Sequence, residues 1–105
     1  MIKPKKLKTG FYYHYKHTPD ASFNYHAYEV IGTGWHTEVK NEYFVIYRPL
    51  YKEAFVYKKG KIFDVRPLNM FLEKVKKDGK IFPRFKQIKD KKLIQKLTKI
   101  RNEMY

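Results

Sequence analysis

A chain of 105 residues is long enough for one domain with a modest core and too short for two. It contains no cysteine, which excludes disulfides and thiolate zinc sites and points to a reducing cytoplasm, and no apolar run approaches the ~20 residues of a membrane helix. The formal charge of +14 fits a polyanionic partner, but an AT-rich genome produces the same bias towards Lys, Tyr, Phe, Ile and Asn, and the two readings stand level.

The first nine residues read as a solvated basic arm without the apolar segment of a secretory signal. Phe11 to Lys16 is an aromatic, turn-free run that predicts a strand, with Phe11, Tyr13 and Tyr15 on one face. His17 to Asn24 carries Pro, Asp, Ser and Asn and predicts a loop. A second strand is expected over Tyr25 to Ile31. Gly32-Thr33-Gly34 then permits a bulge or bend before Trp35 to Val39 continues extended. Lys40-Asn41 turns the chain into Glu42 to Arg48, the clearest strand, which Pro49 ends by removing a ladder donor.

Ala54 to Tyr57 and Ile62 to Val65 predict a hairpin around Gly60. Leu68 to Val75 has room for one or two helical turns, and Asp78-Gly79 is a two-residue hairpin signal. The tail changes period. Asp90 is a helix cap, and Leu93, Ile94, Leu97, Ile100 and Met104 fall on one helical stripe. A helix of this length is marginal alone, so the stripe must be covered, by its own domain in the first instance or by a second copy through residues 89–105.

Six motifs follow one another along the chain: Gly10-Phe11-Tyr12-Tyr13-His14-Tyr15-Lys16, Tyr28-Glu29-Val30-Ile31-Gly32, His36-Thr37-Glu38, Val45-Ile46-Tyr47-Arg48-Pro49-Leu50-Tyr51, Val65-Arg66-Pro67-Leu68-Asn69-Met70-Phe71 and Pro83-Arg84-Phe85. Their order resembles that of a small bacterial family, domain of unknown function 1653. The resemblance covers residues 10–85 and implies a compact, mostly β domain without implying an activity. Residues 17–27 form a longer loop than the family pattern has, and Asp64 replaces an aromatic or small residue. The basic arm and the C-terminal helix lie outside it.

The polar residues within these motifs are His14, Lys16, His36, Glu38, Arg48, Arg66 and Arg84, a set rich in anion-binding groups. Arg48 and Arg66 each precede Pro-Leu at a strand end, where they would share one rim. Tyr15, Tyr47, Tyr51 and Phe71 offer a stacking wall for a base. A plainer reading pairs each arginine with Glu29, Glu38 or Asp64 and places the tyrosines in the core. His36 and Glu38, two apart on a strand, would share a face and supply a general base and its orienter in phosphoester hydrolysis. The histidines lack metal-binding spacing, the acids are scattered singly, and no glycine-rich phosphate loop leads into a helix.

The sequence therefore predicts a mostly β domain, a small SH3-like barrel of short antiparallel strands over residues 10–88. A basic arm (1–9), a short helix near 68–75 and a C-terminal amphipathic helix (89–105) complete it. The expected function is non-catalytic binding of a phosphate-bearing ligand, either a phosphorylated small molecule such as a nucleotide or a single-stranded nucleic acid. Arg48, Arg66, Arg84, His14, Lys16, His36, Glu38, Tyr47 and Tyr51 would line the site, with no metal, cofactor or membrane involved. The alternatives are a small nucleotide- or nucleic-acid-processing hydrolase using His36 and Glu38, and a protein-docking module using the C-terminal helix.

Overall fold

The computed structural model describes residues 7–59 and 63–105. Most of the basic arm and the expected loop around Gly60 therefore lie outside the described residues. The chain forms a five-stranded antiparallel sheet in the order β4-β3-β2-β1-β7, together with a separate β5-β6 hairpin. The strands are β1 (Gly10–His14), β2 (Ala27–Trp35), β3 (Tyr43–Pro49), β4 (Asp64–Pro67), β5 (Lys74–Lys77), β6 (Lys80–Pro83) and β7 (Phe85–Gln87). Three helices, α1 (Phe55–Lys58), α2 (Leu68–Phe71) and α3 (Lys91–Met104), complete the described residues, none of them long and apolar enough to cross a membrane.

Local chemistry accounts for the regular parts. β1 to β3 are rich in the aromatic and β-branched residues that pack well on a pleated surface. In β2, Val30 pairs with Tyr47 while Gly32 pairs with Ile46, so Ile31 is the additional residue of a β-bulge, where the Gly-Thr-Gly run permits a bend. Asp78 and Gly79 both have positive φ, +54° and +75°, the conformation of a tight hairpin turn and one that an Asp-Gly pair adopts at low cost. Asp90 caps α3, its Oδ1 accepting from the backbone N–H groups of Lys92 and Leu93 at 2.9 and 3.2 Å.

The sheet separates two apolar layers. On one face Tyr12, Val30, Val45, Tyr47 and Phe85 pack with Leu68 and Phe71 of α2. On the other, Phe11, Ala27, Leu50 and Ile88 pack under Leu97 of α3, flanked by Leu93, Ile94 and Ile100. The apolar stripe of α3 thus docks on its own domain, with Leu97 fully buried. Burying a leucine in this way stabilises by roughly 1.5–3 kcal/mol. Lys91, Lys92, Lys96 and Lys99 stay exposed.

Two expectations are corrected. Ala54 to Tyr57 is not a strand: α1 occupies this stretch and buries Val56. The strand expected to pair with it instead joins β3 as β4, through Val45–Arg66 and Tyr47–Asp64. The short helix expected after Pro67 is present and makes one turn, Leu68–Phe71, before Val75 pairs with Phe82 in the β5-β6 hairpin. Trp35 to Val39 does not continue extended: β2 ends at Trp35 and residues 36–42 turn.

Candidate ligand-binding site

The tripeptide Arg-Pro-Leu occurs twice, yet its two arginines lie on opposite faces of the sheet. Paired residues of antiparallel strands share a face. Arg66 pairs with Val45 and lies on the α2 side. Arg48 pairs with Glu29 and lies on the α3 side. There Arg48 donates from Nε and Nη2 to Glu29 Oε1, both at 3.0 Å, and Arg101 of α3 donates to Oε2 at 2.8 Å. The Tyr105 ring lies 4.2 Å from the Arg48 guanidinium carbon, and its hydroxyl donates to the Pro49 carbonyl. One nearly buried carboxylate thus holds two arginines and ties α3 to the sheet. The shared rim expected for Arg48 and Arg66 is replaced by this ion-pair triad, and Arg48 falls outside the site.

On the α2 face, aromatic rings form a floor. Phe85 stacks on Phe71 with centroids 4.0 Å apart, and Tyr47 meets Phe85 edge-on at 5.5 Å. Tyr28 meets both Tyr47 and Phe85 edge-on, at 5.4 and 5.8 Å. Arg66 lies across this floor, 5.6 Å above the Phe85 ring, and donates from Nε to the Tyr47 hydroxyl at 3.1 Å. Among the described residues it makes no ion pair within 4 Å. Arg84 reaches Glu73 only loosely, at 3.7 Å, and its Nε is buried without a hydrogen-bond partner. A buried donor left unpaired costs about 1–3 kcal/mol.

His14 closes the cluster, edge-on to Phe85 at 5.0 Å. Burial lowers its pKa from 6.5 to about 4, and the charges of His26, Arg66, Lys16 and Arg84 act in the same direction. The ring is therefore neutral at physiological pH. Its Nδ1 accepts the backbone N–H of Lys16 at 3.2 Å, which leaves Nε2 to carry the proton as a donor. Asp64 is the nearby acid. Burial raises its pKa, while the neighbouring Arg66 pulls it back down. The arrangement supplies two guanidinium forks and an imidazole N–H over rings, a set that suits a phosphate or carboxylate group.

The other expected residues are distributed as follows. Lys16 is exposed at the rim. Tyr47 and Tyr51 are buried, so they build the floor and its hydroxyl network instead of a stacking wall, as does Phe71. The Tyr51 hydroxyl bonds Tyr28 at 2.6 Å and His26 Nδ1 at 3.3 Å. His36 and Glu38 lie past the far end of β2, roughly 25–30 Å along the strand from Ala27. They do not share a strand face. His36 Nδ1 accepts the N–H groups of Glu38 and Val39, both at 3.1 Å, and so ties the turn within a recess of about 380 Å³ beside the exposed Trp35. His26 and Tyr28 belong to the cluster and were missed. The usable signal was the two-residue period that puts Tyr28 on the same face as Val30.

Among the described residues, no three His, Asp or Glu side chains are grouped to hold a metal. No curated protein matches the chain. Its fold is similar to the crystal structure of a protein from Bordetella bronchiseptica assigned to DUF1653, with a TM-score of 0.61 and 26% identity over 82% of this chain and 92% of that one. The family model described as "Protein of unknown function (DUF1653)" matches residues 10–87, which takes in every strand and the whole cluster from His14 to Arg84, and the chain belongs to that family.

Proposed function

We propose that the protein is a binding module, not an enzyme, for a phosphate-bearing ligand held on the α2 face. Arg66 and Arg84 contact the anion, His14 Nε2 donates to it, and Lys16 adds charge at the rim. The observation that carries this reading is that Arg66 lacks an ion-pair partner among the described residues while the buried Arg84 Nε lacks an acceptor. The arginines of the α3 face, by contrast, share the Glu29 carboxylate at 2.8–3.0 Å. We read the bulged sheet as a partly open SH3-like barrel whose bend at Ile31 shapes the site. We also place the protein in a bacterial cytoplasm, in keeping with a chain that carries no thiol.

The test is native mass spectrometry of the purified protein, followed by calorimetric titration with nucleotides, the parent nucleosides and inorganic phosphate. Binding should require the phosphate. Arg66→Ala should weaken it about 10- to 100-fold, the range of one charged hydrogen-bonding group, while Arg48→Ala should lower stability and leave affinity unchanged. Phosphate-independent binding, or full affinity in Arg66→Ala, overturns the reading.

A further inference from the structure

The β5-β6 hairpin stands apart from the main sheet, and its surface is unusual for an independent hairpin. All four residues of β6 are exposed, including Ile81 and Phe82. The hairpin also carries Lys74, Lys76, Lys77 and Lys80. Pairing puts Lys77, Lys80, Val75 and Phe82 on one face.

That face meets the turn after β1. A recess of about 220 Å³ begins at His14 and runs past Tyr15 to Phe82, with Lys86 on its wall. A second, of about 330 Å³, shares Tyr15, His17 and Phe82 with the first and ends at Lys77 and Lys80. The two adjoin through these shared residues, and His14 is the candidate-site residue that borders the first. Within it His17 stacks on Tyr13 at 3.8 Å, nearly parallel. The acid in this lining is Asp78, against three lysines.

Rings and ammonium groups lining adjoining recesses are what an unpaired strand requires, since its bases stack on aromatic side chains and its phosphates take flexible point charges. An acidic peptide would use the lysines but not the rings, and a flat membrane surface would use neither recess. We propose that the ligand is the phosphorylated end of a single-stranded nucleic acid. Its terminal phosphate lies at Arg66, Arg84 and His14, and the nucleotides that follow lie along Tyr15, His17 and Phe82 towards Lys77 and Lys80. This inference rests on the reading of the site given above.

The probe is a 5′-phosphorylated oligothymidylate of about six residues, a length that a small β domain covers, labelled at its 3′ end and followed by fluorescence anisotropy. Thymidine monophosphate, titrated by calorimetry, is the reference. The oligonucleotide should bind at least about tenfold tighter than the mononucleotide. Lys77→Ala/Lys80→Ala should abolish that gain and reduce the slope of log affinity against log salt by about 1.4, at roughly 0.7 for each phosphate contact on a single strand. It should leave mononucleotide affinity unchanged, whereas Arg66→Ala weakens both ligands. Equal affinity for the two ligands, or a gain that survives the lysine replacements, overturns the strand proposal and leaves the phosphate site standing. Lysine-dependent strand binding that ignores Arg66 overturns both.

Discussion

Glu29 is the residue on which the attachment of α3 to the sheet turns. Its side chain is 12% exposed, and its carboxylate accepts from Arg48 and Arg101 at 2.8–3.0 Å. Glu29→Gln keeps the shape and one acceptor oxygen but leaves two guanidinium groups facing each other beneath α3. Removing one partner of a buried ion pair costs about 3–5 kcal/mol, and the retained acceptor favours the lower end. For a domain of this size each kcal/mol moves the midpoint by roughly 4–8 °C, so a loss of about 3 kcal/mol lowers Tm by roughly 12–24 °C. Differential scanning calorimetry at neutral pH measures it. Arg48→Met/Glu29→Gln should fall well short of the sum of the single changes, because the second replacement removes one of the charges stranded by the first. Ligand affinity should not change in whatever fraction remains folded, since Glu29 faces away from the site. A Tm change under about 5 °C, or strict additivity, would refute the triad as the clasp of α3.

Two further outcomes follow from the same structure. Unfolded His14 takes up a proton near 6.5, whereas in the fold it resists until about pH 4; the unfolded chain therefore holds more protons in that window, and stability falls as pH drops from 6.5 to about 4. At full weight the gap is worth about 3 kcal/mol, which solvent screening of the half-exposed ring reduces to about 1–2 kcal/mol. The His14 ring should titrate near pH 4 by NMR, and His14→Gln should flatten this part of the stability profile; an ordinary imidazole titration would refute it. Leu97→Ala opens a cavity beneath α3, where the native side chain is fully buried, and should cost about 3–5 kcal/mol by urea denaturation; a loss under about 1 kcal/mol would mean that the helix is only loosely docked.

Much of the fold was legible where a local rule and the tertiary demand agree. β1 and β3 carry aromatic or β-branched runs, Asp78-Gly79 turns as its residue types require, and α3 has both its cap and its stripe. Legibility failed where a short apolar run fits two periods. Ala54-Phe55-Val56-Tyr57 reads as a strand, but the strand expected to pair with it joins β3 as β4, and α1 buries Val56. It failed again at His36 and Glu38, whose spacing has meaning only if the backbone is extended, whereas His36 instead accepts two backbone N–H groups. In the site, His14, Arg66 and Arg84 could be named from sequence, but Arg48 could not be separated from Arg66. Both precede Pro-Leu. Only the register, Glu29 opposite Arg48 and Val45 opposite Arg66, assigns them to different faces.

That difference in register has a chemical consequence for the whole domain. On the α3 face the sheet supplies Glu29 from the neighbouring strand, so Arg48 and Arg101 already hold a shared carboxylate before any ligand arrives. On the α2 face the position opposite Arg66 is a valine, Arg84 has the long contact to Glu73 at 3.7 Å, and burial raises the pKa of Asp64 while Arg66 lowers it. The charges of Arg66 and Arg84 help to hold His14 neutral. An arriving phosphate reverses this balance: it meets Arg66, which makes no ion pair among the described residues, and Arg84, whose ion pair is long, and it stabilises an imidazolium that the free site disfavours. Binding should thus raise the pKa of His14 and take up protons between about pH 4 and 6.5. A carboxylate ligand carries less charge than a phosphate dianion and should do so more weakly. The proton uptake on binding is therefore the sign by which a phosphate held at this site would be known from one held anywhere else on a chain of +14 charge.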